Sequence, residues 1–375
     1  MTEYDLHFSP SSSRDAGSFK LLELPSDLCK LIEDAMESMT PLRFKIKGKA
    51  DENAVLCTAN KTFAIRSVAL SNSVLVVTPP PDTSSLDFTA DAVVIRDQVS
   101  EILELTPSVP KLHTTLASLR GREYDDGQED DGMNESPDDM KKITYDDALR
   151  TIQASDIEID LGLKSRHILI INGELRPISR PYLDRLLELI LNVLIALSLP
   201  HNSAPVEALS SSLADEHDVP RTVSTQVMSW FGTMQHGKWK MDVNALIKEV
   251  GLGVLRHHRH DPINRDDLVA KWKSLVGDAF ESRVDLGLLS GSYLASTSDP
   301  ESLTYFPTSL LPIDPAARFA DLFLTRSRWK AKDITPFLAD IAVDSKERDK
   351  LLLKFARATT DADGVWYTAR AQYNG

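Results

Sequence analysis

The C-terminal half of the chain repeats one order of elements, in which two helices are followed by a short β-like segment and a connecting helix. Apolar periodicity and turn residues predict three copies of about 55–60 residues, without obvious residue identity between them. The predicted helix pairs are 206–214 with 221–231, 265–276 with 282–294, and 334–341 with 345–358; the strands are 238–241, 302–306 and 364–368, and the connecting helices are 243–255 and 315–326. Two helices followed by a β-hairpin wing is the outline of a winged helix. We therefore expect tandem winged-helix repeats.

A partial fourth copy precedes these three. Residues 145–153 have helical periodicity, and a hairpin is predicted between 167–171 and 174–178. The two segments are joined by Asn172-Gly173, the dipeptide preferred in a two-residue hairpin turn. A strongly apolar helix predicted at 180–199 follows, and we expect it to be almost completely buried.

The net charge is concentrated in one segment. The chain has a formal net charge of −14, and nine acidic residues without a basic one lie between Glu123 and Asp139. The rest of the chain is only mildly acidic, which leaves nucleic-acid binding open although DNA affinity comes mainly from Lys and Arg. The segment has too few apolar residues to form a core. We interpret 111–141 as a flexible acidic linker, with a tail that binds a basic partner as the alternative.

Before this linker the sequence reads mainly as short strands, at 19–24, 42–47, 54–58, 62–70, 74–77 and 92–95, with one short helix from Ser26. This pattern predicts a small sheet or barrel. Residues 74–77 are apolar without alternation, which indicates that both faces or one edge of this strand contact other protein. We predict that partner subunits complete the sheet, and burial in the domain's own core is the alternative. The predicted partner-contact residues are Phe63, Ile65, Val74, Leu75, Val76 and Val77.

These patterns together predict an α+β fold, with an N-terminal β domain completed by partner subunits and C-terminal tandem winged helices. The predicted boundaries are 1–110 for the β-rich assembly domain, 111–141 for the linker, 142–200 for a helix and hairpin segment that is a partial winged helix, and 201–260, 261–325 and 326–375 for three winged helices. The N-terminus lacks an apolar signal segment and no run of 18 apolar residues occurs. We therefore expect neither secretion nor a membrane span.

No sequence motif requires catalytic chemistry. A phosphate-binding P-loop, a GxGxxG after a strand and an HExxH are absent, and we interpret Gly251-Leu-Gly253 as a packing feature of a helix. The basic run 256–260 is interpreted as a positively charged helix end, since neighbouring histidines on a helix point in different directions; contact with a phosphate, a partner or a metal is the alternative. Cys29 and Cys57 fit neither a zinc nor a disulfide pattern. We expect no enzymatic activity, no metal and no cofactor.

Basic residues cluster in the last repeat. In the predicted helix 345–358, basic residues recur on one face, opposite an apolar stripe: Lys346, Lys350, Lys354 and Arg357. Arg348 flanks this face, and Arg326, Arg328 and Lys330 lie just upstream. Because the second helix of a winged helix enters a DNA groove, we predict weak binding of DNA phosphates, without sequence preference, through these residues. A solvated helix face and an acidic protein partner are the alternatives.

Several short motifs resemble one known family. They are Leu21-Leu-Glu-Leu-Pro25, Ile46-Lys-Gly48, Val55-Leu-Cys-Thr58, Lys61-Thr-Phe-Ala-Ile-Arg66, Ser71-Asn-Ser73, Leu322-Phe323, Arg326-Ser-Arg-Trp329 and Ile334-Thr-Pro-Phe337. In combination they resemble the sister chromatid cohesion subunit, often called DCC, of the alternative replication factor C clamp loader. Phe63 stands where this family is expected to have Tyr, and the long acidic linker is not carried over from the family.

The resemblance implies a non-catalytic, nuclear subunit. Its N-terminal β domain would join a small clamp-loader subunit and the C-terminal tail of the large subunit, and its winged helices would contact DNA and the leading-strand polymerase. The ATPase would then reside in another subunit. Two other classes stay open from the residues alone. A winged-helix transcription or chromatin adaptor would have a stable monomeric N-terminal domain, and an enzyme would have a concave site of mutually oriented titratable residues.

Overall fold

The structure, a computed structural model, describes residues 5–8, 19–79, 92–112, 117–125, 142–296 and 298–370. These residues form α-helices and several small β-sheets, so the predicted α+β class is confirmed. The chain divides into two compact units: 1–111 with 151–158 form the N-terminal unit, and 112–150 with 159–375 form the C-terminal unit. None of the described helices has the length and apolar character needed to cross a membrane.

The N-terminal unit is built on one mixed sheet. Its elements are helix α1 (Ser26–Glu37) and strands β1 (Asp5–Phe8), β2 (Leu21–Glu23), β3 (Lys45–Lys47), β4 (Val55–Cys57), β5 (Thr62–Thr78) and β6 (Ala92–Pro107). The strand order is β1-β6-β5-β4-β3, and β2 also pairs with β6. The described strands form an open sheet, so of the two predicted architectures the sheet is observed and the barrel is not.

The predicted strands 62–70 and 74–77 are parts of one long strand. Ala69 pairs with Glu101 and Val74 with Val99, so the residues between Ala69 and Val74 bulge out of the β5–β6 ladder. β6 is also longer than the predicted 92–95. Its acidic residues obscured the apolar pattern of a strand; one of them, Glu101, is ion-paired with Lys20 at 2.6 Å.

Residues 151–158, which follow the acidic segment in sequence, complete the N-terminal unit through buried polar contacts. Lys47 of β3, only 5% exposed, donates from Nζ to the Ala154 carbonyl at 2.7 Å. The Ser155 N–H donates to Thr62 Oγ1 of β5 at 2.9 Å. Burial of these polar groups is tolerated because each has a partner, so 151–158 are an integral part of this unit.

The remaining helices are α2 (Tyr145–Thr151), α3 (Asp156–Ser165), α4 (Arg180–Ala196), α5 (Val206–His217), α6 (Arg221–Trp230), α7 (Val243–Arg256), α8 (Arg265–Val276), α9 (Pro315–Thr325), α10 (Ala331–Ile334) and α11 (Ser345–Phe355). The remaining strands are β7 (Ile168–Ile171), β8 (Glu174–Pro177), β9 (Ala204–Pro205), β10 (Gly232–Gln235), β11 (Lys238–Met241), β12 (Ile263–Asn264), β13 (Tyr293–Ala295), β14 (Ser302–Tyr305), β15 (Arg328–Lys330), β16 (Ala356–Asp361) and β17 (Gly364–Ala369).

Three of the small sheets share one topology. In each, the third strand lies between the first and the second, which gives the orders β9-β11-β10, β12-β14-β13 and β15-β17-β16. Helical segments connect the first strand to the second, and one helix precedes the first strand: α4, α7 or α9. We call the units 180–241, 243–305 and 315–369 repeats 2, 3 and 4. The predicted connecting helices are therefore the first helices of the following repeats.

Residues 144–177, here called repeat 1, have the same strand order. β7 and β8 form an antiparallel hairpin, and Thr144 forms an isolated bridge with Glu174, the first residue of β8. Asn172 and Gly173 have φ angles of 52° and 80°, the left-handed conformations that a tight hairpin turn requires. The hairpin predicted around these two residues is confirmed.

Two predicted helices are wrong. The segment 282–294 contains the 3-10 turns Glu281–Arg283 and Leu286–Leu289 and then β13, and Gly291 in the left-handed region (φ 80°) prevents a continuous helix. The segment 334–341 contains only the end of the short helix α10 and the 3-10 turn Thr335–Leu338. Pro336 lies in that turn, and a proline cannot donate the hydrogen bond that a longer helix would need.

The last predicted helix, 345–358, is too long. α11 ends at Phe355, and Ala356 has an extended backbone (φ −122°, ψ 158°). From Ala356 the chain forms β16, which pairs with β17 from Ala356 opposite Ala369 to Asp361 opposite Gly364. The hydrogen bonds of this hairpin replace those of a further helical turn, so Arg357 lies on a strand.

Most tryptophans lie in the cores of repeats, as predicted. Trp239, Trp272 and Trp329 are each 0% exposed, one in each of repeats 2, 3 and 4. The indole nitrogens of Trp272 and Trp329 donate to the carbonyls of Ile247 and Leu322 at 2.8 and 2.9 Å. Trp230 is partly buried and packs against the same core as Trp239 and Trp272, so the core interpretation extends to it. Trp366 is also only partly buried, and the core interpretation does not extend to this residue.

The predicted linker 111–141 is not unstructured throughout. Leu112, Leu119 and Tyr124 are buried, and the Tyr124 N–H donates to the Pro177 carbonyl at 2.7 Å. The most acidic part of the linker, 126–141, falls outside the described residues.

Candidate partner-binding edge and nucleic-acid surface

The distal part of β5 has a free edge. β4 pairs only with Thr62–Ala64 at the start of β5, and among the described residues no strand pairs with 66–78 on the side opposite β6. We call 66–78 the β5 edge. A free edge of this length presents unpaired backbone N–H and C=O groups and can accept an additional strand.

The predicted partner-contact residues fall into two groups. Phe63 is 1% exposed and packs with Leu28, Leu56 and Leu105 in the core of the unit, and Ile65 packs against that core. Val74, Leu75 and Val77 are about 40% exposed, and Val76 is half-buried. The structure therefore places the apolar surface of the predicted site on the β5 edge. Phe63 and Ile65 support the fold of the strand from within.

More apolar surface surrounds this sheet. Ile46 on the edge strand β3 is 70% exposed, and Met36 and Met39 at the end of α1 are 74% and 92% exposed. Such exposed apolar surface on a small unit is typical of a protein interface.

Three lysines of the last repeat form a stripe on α11. Lys346, Lys350 and Lys354 are exposed, and they lie opposite the buried Leu352 and Phe355. Lys346 and Lys350 make no hydrogen bond or ion pair with another described residue. We call these three residues the lysine stripe. Their ammonium groups are available to an anionic ligand.

The remaining predicted basic residues lie on the sheet of repeat 4. Trp366 of β17 pairs with Lys330 of β15. Thr368, two residues further along β17, pairs with both Arg328 and Arg357. Paired residues and alternate residues of a strand share a face, so Arg328, Lys330, Arg357 and Trp366 lie together. The opposite face carries the fully buried Trp329. We call the first face the outer sheet face of repeat 4.

The outer sheet face is held by specific contacts. Arg328 forms an ion pair with Asp361 and lies over the Trp366 ring, with Cζ 4.2 Å from the ring centroid. The Trp366 indole N–H donates to Asp361 at 2.8 Å. Although desolvation opposes it, the hydrogen bonds from Trp366, the backbone N–H of Asp363 and Arg328 hold the pKa of Asp361 below its usual value. Asp361 therefore stays ionised and orients both side chains.

Arg326 and Arg348 are already engaged. The Arg326 guanidinium donates to the Ala295 carbonyl and lies over the Trp329 ring, 5.0 Å from its centroid. Arg348 forms an ion pair with its neighbour Asp349 at 3.0 Å. The structure thus separates the eight predicted residues into the lysine stripe, the three basic residues of the outer sheet face, and Arg326 with Arg348, which belong to neither surface.

The other repeats are less basic at the equivalent position. In repeat 2, α6 has one charged residue, Arg221, which is ion-paired with Glu207 at 2.8 Å. In repeat 3, two 3-10 turns, Glu281–Arg283 and Leu286–Leu289, replace this helix, and Arg283 is their one basic residue. In repeat 1, α3 has more acidic than basic residues. Repeat 4 is therefore the best candidate for contact with phosphates.

The basic run 256–260 is tied to a buried network that the sequence did not indicate. Arg256 pairs with Asp184 at 2.9 Å and with the buried Glu249, which also lies 3.7 Å from Arg180. The buried His167 accepts a hydrogen bond from Arg180 at 2.9 Å. Burial lowers the pKa of His167 to about 4, against the opposing charge of Glu249 and with support from the two arginines. Arg256 thus acts as a structural anchor.

The glycines of Gly251-Leu-Gly253 have the predicted packing role. A Cβ atom on Gly251 would lie 2.5 Å from the Trp272 ring, and one on Gly253 would lie 2.9 Å from Asp184. Small residues here allow α8 and the Asp184 carboxylate to approach α7 closely. Among the described residues, no group of three or more His, Cys, Asp or Glu side chains could hold a metal ion.

Comparison with known proteins finds resemblance to one family over most of the chain. Residues 19–338 match the model of the family described as sister chromatid cohesion protein Dcc1. The chain is 28% identical to sister chromatid cohesion protein DCC1 of Xenopus laevis over 359 residues, covering 93% of the chain and 88% of that protein. It is 26% identical to DCC1 of Saccharomyces cerevisiae, over 94% and 96% of the two chains, and 25% identical to DCC1 of Homo sapiens, over 97% and 92%.

Proposed function

The chain belongs to the family of the sister chromatid cohesion protein Dcc1, and from this premise we propose that it is a non-catalytic subunit of an alternative replication factor C clamp loader. It acts in DNA replication and sister chromatid cohesion, in the nucleus. Its N-terminal unit holds partner subunits, and its C-terminal repeats contact DNA and the leading-strand polymerase. The observation that carries this proposal is the free β5 edge.

The β5 edge provides a physical reason for assembly. A strand donated by a partner would satisfy the backbone groups of 66–78 and cover Val74, Leu75 and Val77, which are exposed in the chain alone. The small clamp-loader subunit and the C-terminal tail of the large subunit are the proposed donors. An extended tail suits this role, since it can add a strand without a preformed domain.

The repeats support the proposed contact with DNA. A helix, a short strand, two helical segments and a two-stranded hairpin, with the third strand in the middle of the sheet, are the elements expected of a winged helix. We propose that repeats 2, 3 and 4 are winged helices and that repeat 1 is a reduced one. Repeat 4 binds DNA through the lysine stripe and the outer sheet face, weakly and without sequence preference. The polymerase contact is proposed on the family resemblance.

Introduction of negative charge at the β5 edge tests the proposed assembly. The substitution Val74→Asp with Leu75→Asp would place two carboxylates where the partner strand packs, and burying an unpaired charge is strongly unfavourable. We expect this variant, co-expressed with the small clamp-loader subunit and the tail of the large subunit, to lose both partners on purification.

The matched control is Val343→Asp in repeat 4, where the valine has a similar exposed fraction, 47%. This control should retain both partners. Retention of both partners by the Val74 and Leu75 double variant would contradict the proposed role of the edge. A monomeric, cooperatively unfolding wild-type chain that binds neither partner would favour a free-standing chromatin adaptor instead.

A further inference from the structure

Trp366 occupies an unusual position for a tryptophan of this protein. Three of the five tryptophans are completely buried, whereas Trp366 is partly exposed in the middle of β17. It lies on the outer sheet face of repeat 4, where Arg328, Arg357 and Thr359 are exposed to solvent. A large aromatic ring on an open, basic sheet face is not needed for the core of the repeat, which Trp329 already fills from the opposite face.

The orientation of the ring is fixed. Asp361 accepts the indole N–H of Trp366 at 2.8 Å and also pairs with Arg328. The Arg328 guanidinium lies over the ring at 4.2 Å, and the Lys330 ammonium lies 5.0 Å from the ring centroid. These contacts hold an aromatic ring and a planar guanidinium in a stack before any ligand arrives, which reduces the entropy lost on binding.

Such a stack has a specific complementary ligand. Unpaired nucleobases stack on aromatic rings and on arginine guanidinium planes, while the adjacent cations neutralise the phosphates of the strand. In a duplex the faces of the bases are already occupied by neighbouring bases. The lysine stripe has no aromatic side chain on its exposed face. It can therefore contact the phosphates of single-stranded and of duplex nucleic acid without distinguishing them.

We propose that Trp366 and Arg328 form a stacking site for an unpaired nucleobase, so that the outer sheet face of repeat 4 binds single-stranded nucleic acid. This inference rests on the proposed binding of DNA by repeat 4, and it assigns a preference for single strands to one of the two basic surfaces of that repeat. Lys330 and Arg357 contact the phosphates on either side of the stacked base. The lysine stripe on α11 is a separate surface that contacts single-stranded and duplex nucleic acid alike.

Binding to two ligands of equal charge tests the stacking site. The full chain is titrated with a twelve-nucleotide oligothymidine and with an abasic strand of the same phosphate number, by fluorescence anisotropy at low salt. We expect the wild-type chain to prefer oligothymidine. Trp366→Ala should lower the affinity for oligothymidine about 5- to 150-fold, the range found for loss of one stacked base, and leave the affinity for the abasic strand unchanged. Trp366→Phe, which keeps a ring, should retain most of the preference.

The control is Val365→Ala, a neighbouring position whose side chain faces away from the outer sheet face and is 40% exposed. It should bind both strands as the wild type does. If Trp366→Ala binds both strands as tightly as the wild type does and keeps the thermal midpoint of unfolding, the stacking site is overturned and the proposed DNA binding stays intact. Equal loss for both strands would also overturn it, since that result means a structural role for Trp366. If the wild-type chain binds neither strand nor a duplex, the proposed DNA binding itself fails.

Discussion

His167 shows how a single residue can couple stability to pH. It has a left-handed backbone (φ 57°), is buried, and accepts a hydrogen bond from Arg180 through Nδ1. Its ring stacks on Phe231, with the ring centroids 5.4 Å apart. An acceptor nitrogen facing a permanent cation requires the neutral form of the ring. The pKa of about 4 follows from this environment, in which burial is the largest cause.

A lowered histidine pKa predicts loss of stability in acid. Between pH 6.5 and pH 4 the unfolded chain binds a proton at this residue and the folded chain does not, so the free energy of unfolding falls as the pH falls. From pH 7 to pH 5 the loss due to His167 should be about 2 kcal/mol. In the variant His167→Asn, the asparagine can adopt the left-handed backbone and does not titrate. Its free energy of unfolding, measured in urea, should therefore change between pH 7 and pH 5 by about 2 kcal/mol less than that of the wild type.

The matched control is His236→Asn, at an exposed position with a similar left-handed backbone (φ 51°). It should keep the pH dependence of the wild type. If the His167 variant also keeps it, His167 does not stay neutral in the folded chain.

At this scale the sequence indicated residue types better than residue environments. The Asn172-Gly173 turn and the packing role of Gly251 follow from local rules, and both are confirmed. The partners of Glu249 and Trp366 depend on residues distant in sequence or on strand register. Local spacing alone could not reveal them.

Among the elements, α11 provides the most direct test of phosphate binding. The lysine stripe lies opposite the buried face, so reversing two of its charges should not disturb packing. With about three phosphates neutralised, the log–log salt slope for duplex DNA should be near −3. Lys350→Glu with Lys354→Glu should weaken binding on every sequence and reduce the magnitude of the slope by about two.

A control for overall charge is Lys271→Glu with Lys273→Glu on the exposed surface of α8. This pair makes the same change in net charge within repeat 3 and should leave the slope near that of the wild type. Equal weakening in both variants would mean that total charge, and not the lysine stripe, governs binding.

Element boundaries were predicted well where one local signal dominated. α4 begins after the Ser179 cap, as predicted, because the Ser179 side chain accepts the Tyr182 N–H and Pro181 occupies the first turn. The end of α11 was missed because 356–358 have helical composition, and only pairing with β17 makes them a strand. The sequence of β6 gave no clear alternation, because it contains charged residues such as Glu101 and Glu104, which pair with Lys20 and Arg66.

At the scale of the whole molecule, the acidic segment lies within 112–150 of the C-terminal unit, between the two portions of the chain, 1–111 and 151–158, that form the N-terminal unit. Nine acidic residues in this segment carry most of the net charge, yet Tyr124 and Asp125 at its start contact 177–179. Replacing 127–139 by a Gly/Ser sequence of equal length should leave partner binding intact, since a spacer contributes reach and not contacts. Co-purification of the partner subunits measures this. Loss of the partners in this variant would show that the acidic residues themselves bind.

The division into units could be predicted only in part. The change from strands to helices was visible in periodicity, and the strand order of the repeats follows from hairpins that are local in sequence. The return of 151–158 to the N-terminal unit depends on Lys47, Thr62 and Ser155, which are distant in sequence and join through buried hydrogen bonds. From sequence alone, polar residues of this kind are assigned to the protein surface.

Hydrogen–deuterium exchange of the β5 edge tests the central proposal most directly. In the chain alone, the outward amides of 66–78 should exchange rapidly, because among the described residues no strand pairs with that side of β5. Addition of the small clamp-loader subunit and the tail of the large subunit should protect these amides strongly, with little change in α11. If both partners bind and the amides of 66–78 exchange as rapidly as before, the edge is not where the complex assembles.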